Sequence, residues 1–533
     1  MTKKENISWT EKVGHSFDRG LSIFAPRMAL RRSAARAGLR FMGMSGAYRG
    51  SKSTRLNYGW STRVESADAS IYGELETLRN RTRDLNRNDA IASGATDTIV
   101  TNVVKNGLVP QSRIRAKLLG LDDEQVKNFQ DAAETVYEKW SPGADITGKL
   151  DFEEIQSLAV RQIIESGEFL AVRRTTQRPG KPYLLSLDII EPDRLPSGYV
   201  FPFLPDYRMG IRTDENGAPD SYQIYKGHPG DISWGKVALT DFNLVSARDP
   251  SGRQMVFHLF PIKRPGQSRG VPFFAPVIDY FKTMADYIEA ELVAARIAAC
   301  FAVFIKTAGD PYLEAGGRSS GSQTDQSGQS QPLENLEPGM IDYLRTGEEA
   351  TFANPQRPGN TFDSFVERLL RLIGTALGLP YEFILKDFSK TNYSSARAAL
   401  IQAYRFFQTW QEFLRKHLCQ PVWEILLEEA WLRGEIVAPG FMERKFEFTR
   451  AVWVMPGWPY VNPLDEVNAS EKAIKMGIKS RAQVCAEQGD DWEETAEQIG
   501  REKKKFDLLG IPWAGVDAAV KESVAPKDGK GNQ

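Results

Sequence analysis

From Ser394 to Arg433 the chain runs through one long helical pattern with a single proline, Pro421. Proline lacks an N–H and crowds the carbonyl four residues back, so a kink is expected there. Four shorter runs share the helical period: Asp122–Trp140, Phe152–Ser166 closed by Gly167, a stretch from about Pro276 to Ala299, and Phe362–Leu377 closed by Gly378 and Pro380. In the first, Asp122 can cap the helix, acids fill the opening turn, and Val126, Phe129, Ala133, Val136 and Trp140 share one face. A last helical region covers Pro463 to Leu508. Strands are expected at Phe169–Arg173, Tyr183–Ile190, Ser221–Tyr225 and Met255–Pro261, set off by turns such as Asn216-Gly217. Helices and strands do not alternate regularly, so the expected class is α+β with helices in the majority.

Lys and Arg total 68 against 69 Asp and Glu, a formal net charge of −1. A protein that grips nucleic acid over its whole surface would be far more basic. The balance is uneven along the chain. Residues 1–60 hold twelve Lys/Arg and three Asp/Glu, a local +9, which leaves −10 for the rest. This segment reads as a mobile basic arm, although its Arg- and Ala-rich part from Ile23 to Phe41 also has the composition of a transit peptide or a membrane-surface helix. The most apolar stretch, Ile288–Ile305, carries Glu289, Glu291 and Arg296, and its uncharged part is too short to span a bilayer. Three cysteines with no CxxC pair give no disulfide framework and fit synthesis in a reducing compartment. The Gly/Ser/Gln-rich insert 316–332 and the tail 516–533 read as disordered.

Chemical motifs are weak. Two strings imitate a phosphate loop, Gly143 to Lys149 and Gly230 to Lys236, but Leu150 and Val237 stand where a Ser or Thr should hold Mg²⁺. Two G-x-S-x-G strings occur, around Ser268 and Ser319. The first follows a strand as a nucleophile elbow should, but Pro272 stands where the next helix should begin. The four histidines, His15, His228, His258 and His417, form no HExxH or Cys-paired motif, and His258 reads as a hydrogen-bonded core residue. No catalytic constellation, metal site or cofactor site is expected. A serine hydrolase acting through Ser268 and an NTP-dependent enzyme acting through Lys149 or Lys236 are the alternatives from another class.

Several strings together resemble a known family. These are Ile190-Glu-Pro-Asp-Arg-Leu195, Arg264-Pro-Gly-Gln-Ser-Arg-Gly-Val-Pro272, Leu336-Glu-Pro-Gly339 with Arg357-Pro358, Gly378-Leu-Pro-Tyr-Glu382, Asn392-Tyr-Ser-Ser-Ala-Arg397 and Glu487-Gln-Gly-Asp490. In this order and spacing, over about Leu85 to Lys505, the chain resembles the portal proteins of lambda-like tailed bacteriophages. Lys105-Asn106-Gly107 departs from the pattern, standing where relatives often carry a tighter Gly-rich turn.

The resemblance implies a portal fold assembling as a ring of about twelve subunits at one vertex of the phage head, hence a virion protein assembled in the host cytoplasm. It implies double-stranded DNA, handled without sequence specificity, as the cargo. The implied partners are the terminase large subunit, the major capsid protein, scaffold and a head–tail connector protein, with no membrane. Another connector ring of a virion is the nearest alternative. Mapped onto this chain, the resemblance gives a wing at 61–274, a first stem helix at 275–300 and a clip at 301–360. It gives a second stem helix at 361–378, a tunnel loop at 379–393, a long helix returning to the wing at 394–462 and a crown at 463–515. Lys386, Ser389, Lys390, Thr391 and Asn392 would then face DNA in the channel. Arg397, Lys282, Arg368 and Arg371 would meet the channel or a neighbouring subunit.

Overall fold

A computed structural model describes residues 61–197, 206–231, 241–300, 303–306, 322–324, 330–332, 341–344, 362–458, 463–488, 490 and 492–511. The chain divides into two units, Met1–Glu65 and Ser66–Gln533. The basic arm 1–60 and the tail 516–533 lie outside the described residues, as does most of the expected clip.

In chain order the second unit contains α1 (Leu75–Asn88), α2 (Ala90–Val103), β1 (Val109–Ser112), α3 (Asp123–Trp140), α4 (Phe152–Ser166), β2 (Phe169–Thr175) and β3 (Leu185–Ile190). Then come β4 (Ile211–Thr213), β5 (Pro219–Tyr225), β6 (Phe242–Ser246), β7 (Val256–Leu259) and α5 (Ile278–Cys300). Four short strands follow: β8 (Val303–Lys306), β9 (Ser322–Thr324), β10 (Ser330–Pro332) and β11 (Ile341–Leu344). The chain continues with α6 (Phe362–Leu377), α7 (Tyr381–Leu385), α8 (Tyr393–Leu414), α9 (Gln420–Leu432), β12 (Ala451–Val454), α10 (Pro463–Lys475), α11 (Arg481–Gln488) and α12 (Trp492–Leu508).

The α+β, helix-rich expectation holds. The helix starts are local chemistry. Asp122 and Asp151 each accept a backbone N–H three residues on, and Gln125 and Glu154 reach back to complete capping boxes. Gly167 ends α4 in the left-handed region at φ +88°. Two expectations need correction. The disturbance expected at Pro421 falls one turn earlier, in a π turn, Arg415–Cys419, in which Gln420 N–H donates to Arg415 O five residues back. The wider turn makes room for the proline ring. The polar insert, read as disordered, contains the antiparallel pair β9–β10. Strand pairing uses backbone groups, so a lack of apolar side chains does not forbid it.

β2 lies between β3 and β7, antiparallel to both, with Leu170 opposite Ile190 on one side and His258 on the other. Its side chains alternate between two cores, as the two-residue period of a strand requires. Phe169 and Ala171 join the larger core with Phe152, Phe407 and Trp423, whereas Leu170 and Val172 join a smaller one with Ile211, Tyr222 and Ile224 beneath β4–β5–β6. The chain's remote ends are tied by β1 and β12, which pair antiparallel with Val109 opposite Val454.

Between Gly167 and β2 sits Glu168, fully buried. Its Oε1 accepts from Arg79 at 2.5 Å and from Arg269 Nη2 at 2.6 Å. Its Oε2 accepts from Gly270 N–H at 2.7 Å and contacts His258 Nε2 at 3.0 Å. His258 is thus a hydrogen-bonded core residue, as expected. Burial alone would push the Glu168 carboxyl up, but Arg269, Arg79 and His258 outweigh it and hold it well below the usual carboxylate range. Arg269 also donates to the Pro196 and Met209 carbonyls at 2.8 and 2.7 Å, and to Pro192 O at 3.3 Å. The close approach demands glycine at 270, where a Cβ would lie 2.0 Å from Gly167 O. This node fixes the loop that launches α5.

Candidate nucleic-acid interface

α5 and α6 meet through aromatic rings: Tyr287 stacks on Phe362 at 5.5 Å and meets Phe365 edge-on at 5.0 Å. α6 buries Leu369, Leu370, Ile373 and Leu377 and turns Arg368 and Arg371 outward. Past its end the chain folds back tightly. Leu379 N–H donates to Gly374 O at 2.9 Å, and a Cβ on Gly374 would lie 2.6 Å from Leu379 O. The tunnel-loop expectation is narrowed here. Tyr381–Leu385 is helical, with Ile384 buried and Phe383 packed on Phe407 at 5.9 Å. Only Lys386–Asn392 remains as a loop between α7 and α8.

Lys386 begins this loop at φ +56°, a left-handed conformation unusual for a residue with a Cβ. It is exposed and has no ion pair among the described residues. Asp387 accepts from Ser389 N–H at 2.9 Å, and the Ser389 hydroxyl, then this backbone bond, lowers its pKa. Thr391 Oγ1 donates to Glu382 at 3.1 Å. Asn392 caps α8 by accepting from Ser395 N–H at 2.8 Å. Lys390 reaches back to Glu367 of α6 at 3.4 Å, and Arg371 donates to the same carboxylate at 2.6 Å while lying over the Tyr381 ring at 5.3 Å. The Arg371 hydrogen bond, then that of Lys390, lowers the Glu367 pKa. The loop thus carries Lys386, Ser389, Lys390 and Thr391, and its Lys390 shares the Glu367 carboxylate with Arg371 of α6. The other expected residues lie apart: Lys282 pairs with Asp286 one turn along α5 at 2.6 Å, and Arg397 lies 3.8 Å from Glu466 of α10 in the same chain.

Residues 53–411 match the family described as phage portal protein, lambda family. The chain belongs to that family. Among curated relatives, a probable portal protein of Halomonas phage phiHAP-1 is 27% identical over 470 residues, 86% of this chain and 87% of the relative. The portal protein of Escherichia phage N15 is 24% identical over 87% of this chain and 92% of its own length. Portal protein B of Escherichia phage lambda is 23% identical over 87% and 90%. Among solved structures, a chain of the native gene transfer agent virion aligns over 80% of this chain and 97% of its own at 12% identity with a TM-score of 0.37, too low to carry a fold inference.

In this portal-family chain, two of the strings that carry the resemblance meet at Glu168. Arg269 and Gly270 bind its carboxylate, while the Pro192 carbonyl accepts from Arg269 and Asp193 pairs with Arg83. Sequence reading missed Glu168 as the centre of that node; an acid directly before an apolar strand was the available signal.

The motifs read as look-alikes have local roles. Ser268 donates its hydroxyl to Asp68 at 2.6 Å and its N–H to the same carboxylate at 2.8 Å, while the neighbouring His258 is engaged by Glu168. In the first phosphate-loop imitation, Asp145 accepts from Thr147 and from Lys149 N–H, so the loop's donors serve its own carboxylate. The second runs into undescribed residues from 232. Glu191, Asp193 and His228 come close enough to hold a cation, which the sequence did not suggest. Arg83 already pairs with both carboxylates there, and Gly230 N–H donates to His228 Nδ1 at 3.0 Å. Among the described residues no helix is long and apolar enough to cross a membrane.

Proposed function

We propose that this chain forms the portal ring of a tailed-phage head, a channel at one vertex through which double-stranded DNA is packaged by terminase, retained and later ejected. About twelve copies close the ring. α5 and α6 line or flank the channel as stem helices, residues 301–360 form the clip that meets terminase and connector proteins, and α10 onward builds the crown. The ring is a part of the virion, assembled in the host cytoplasm with capsid protein and scaffold. The observation that carries the reading is family membership over residues 53–411. An exposed, near-neutral loop, Lys386–Asn392, which follows α6 by way of the short α7, supports it.

The physics of the task fits that loop. Each phosphate neutralised releases counterions and adds affinity, so a strongly basic channel would brake moving DNA. Lys386 and Lys390 offer two cations among the acids Glu367, Glu382 and Asp387, enough for transient, sequence-independent contact. The chain itself performs no covalent step in this reading; terminase supplies the energy. Lys386→Ala and Lys390→Ala should change packaging yield or genome retention while rings still assemble. Normal packaging and retention in both variants would overturn the tunnel-loop assignment. ATP turnover by the purified protein, lost on replacing Lys149 or Lys236, would overturn the non-enzymatic reading.

A further inference from the structure

We propose that Glu367 is an exchangeable counter-charge for the loop cations: its carboxylate holds Lys390 and Arg371 until DNA phosphates take them over, which keeps the loop from braking the DNA. The inference rests on the tunnel-loop reading above and assigns a role to a residue of α6 rather than of the loop.

Three observations carry it. First, both cations converge on one carboxylate, Arg371 on Oε1 at 2.6 Å and Lys390 on Oε2 at 3.4 Å. Second, the exposures are graded. The Glu367 side chain is 23% exposed, but those of Arg371 and Lys390 are 58% and 66% exposed, so an arriving polyanion meets the cations before their acid. Third, no other acid among the described residues forms an ion pair with either cation: Asp387 accepts from Ser389 N–H and Glu382 from the Thr391 hydroxyl, and Asp363 and Asp387 act on Lys390 only at a distance.

Exposed ion pairs of this kind contribute little to stability, so a phosphate can displace the carboxylate at small cost. With Glu367 present, each encounter trades one ion pair for another and the net gain in affinity is small. Lys386, which has no ion pair among the described residues, makes contact without such an exchange. With the carboxylate removed, Lys390 and Arg371 lose the partner they both contact and bind phosphate more tightly.

The test is the salt dependence of binding between the assembled full-length protein and a short linear duplex. Glu367→Gln, and Glu367→Ala as a second variant, should bind DNA more tightly. The plot of log K against log salt should steepen by about 0.9 for each extra phosphate held. The double variant E367Q/K390A should give back about one phosphate's worth of that slope. Wild-type affinity and slope in both Glu367 variants, with binding weakened by Lys386→Ala, would overturn the exchange and leave the tunnel loop standing. If neither the Glu367 variants nor Lys386→Ala changes binding, the loop does not face DNA and both proposals fall.

Discussion

Glu168 shows what one buried charge demands. Two arginines, a histidine and a backbone N–H converge on a carboxylate with no exposure to water. Removing the acid strands Arg79 and Arg269, so Glu168→Gln should cost about 3–5 kcal/mol in chemical denaturation, the usual penalty for breaking a buried pair. The pH dependence has a definite sign. The folded carboxyl is held well below its unfolded value, so its contribution is complete above the unfolded pKa and lost as pH falls through the folded one. The wild-type advantage over Glu168→Gln should therefore be full above about pH 5 and shrink below about pH 4.3. The turn Lys105-Asn106-Gly107 has a backbone meaning too. Lys105 sits at φ +48° and Gly107 at φ +98°, with a Cβ on Gly107 only 2.3 Å from Glu153 Cγ. The glycine is obligatory, while the lysine carries the strain.

At the scale of elements, the Lys386–Asn392 loop depends on what holds α7 against α6. Ile384 is 5% exposed, and its Cδ1 lies where a Cβ on Gly374 would come within 2.9 Å. Ile384→Ala should lose about 2–5 kcal/mol locally. Trypsin should then cut faster after Lys386 and Lys390 while the helical circular dichroism signal is kept; unchanged cleavage would mean the loop is held by something else. The same region shows where sequence reading stops. α3 and α4 were legible to within a residue because their caps and apolar faces are local signals. α7 was not, since five residues are too few to show a helical period. β1 and β12 were missed because each is four residues long and their partner lies more than 300 residues away. The π turn was invisible because Pro421 announces a disturbance without saying which one relieves it. The loop's polar residues were readable as a group; that Glu367 would pair with Lys390, twenty-three positions on, was not.

At the scale of the whole molecule, the even charge balance has a use. A net of −1 shared between a basic arm and an acidic body avoids a surface that would hold DNA everywhere, as the proposed DNA channel would require. In the proposed ring, the exposed apolar residues Leu292 and Val293 on α5 and Phe365 and Leu372 on α6 fit faces that close against copies of the same chain. The most direct test of the account is native mass measurement with imaging of the purified full-length protein. Twelve copies of a 59.8 kDa chain give a particle of about 718 kDa, and images should show a ring with a central hole. A monomer or dimer without a channel, under conditions where the chain is folded, would contradict it.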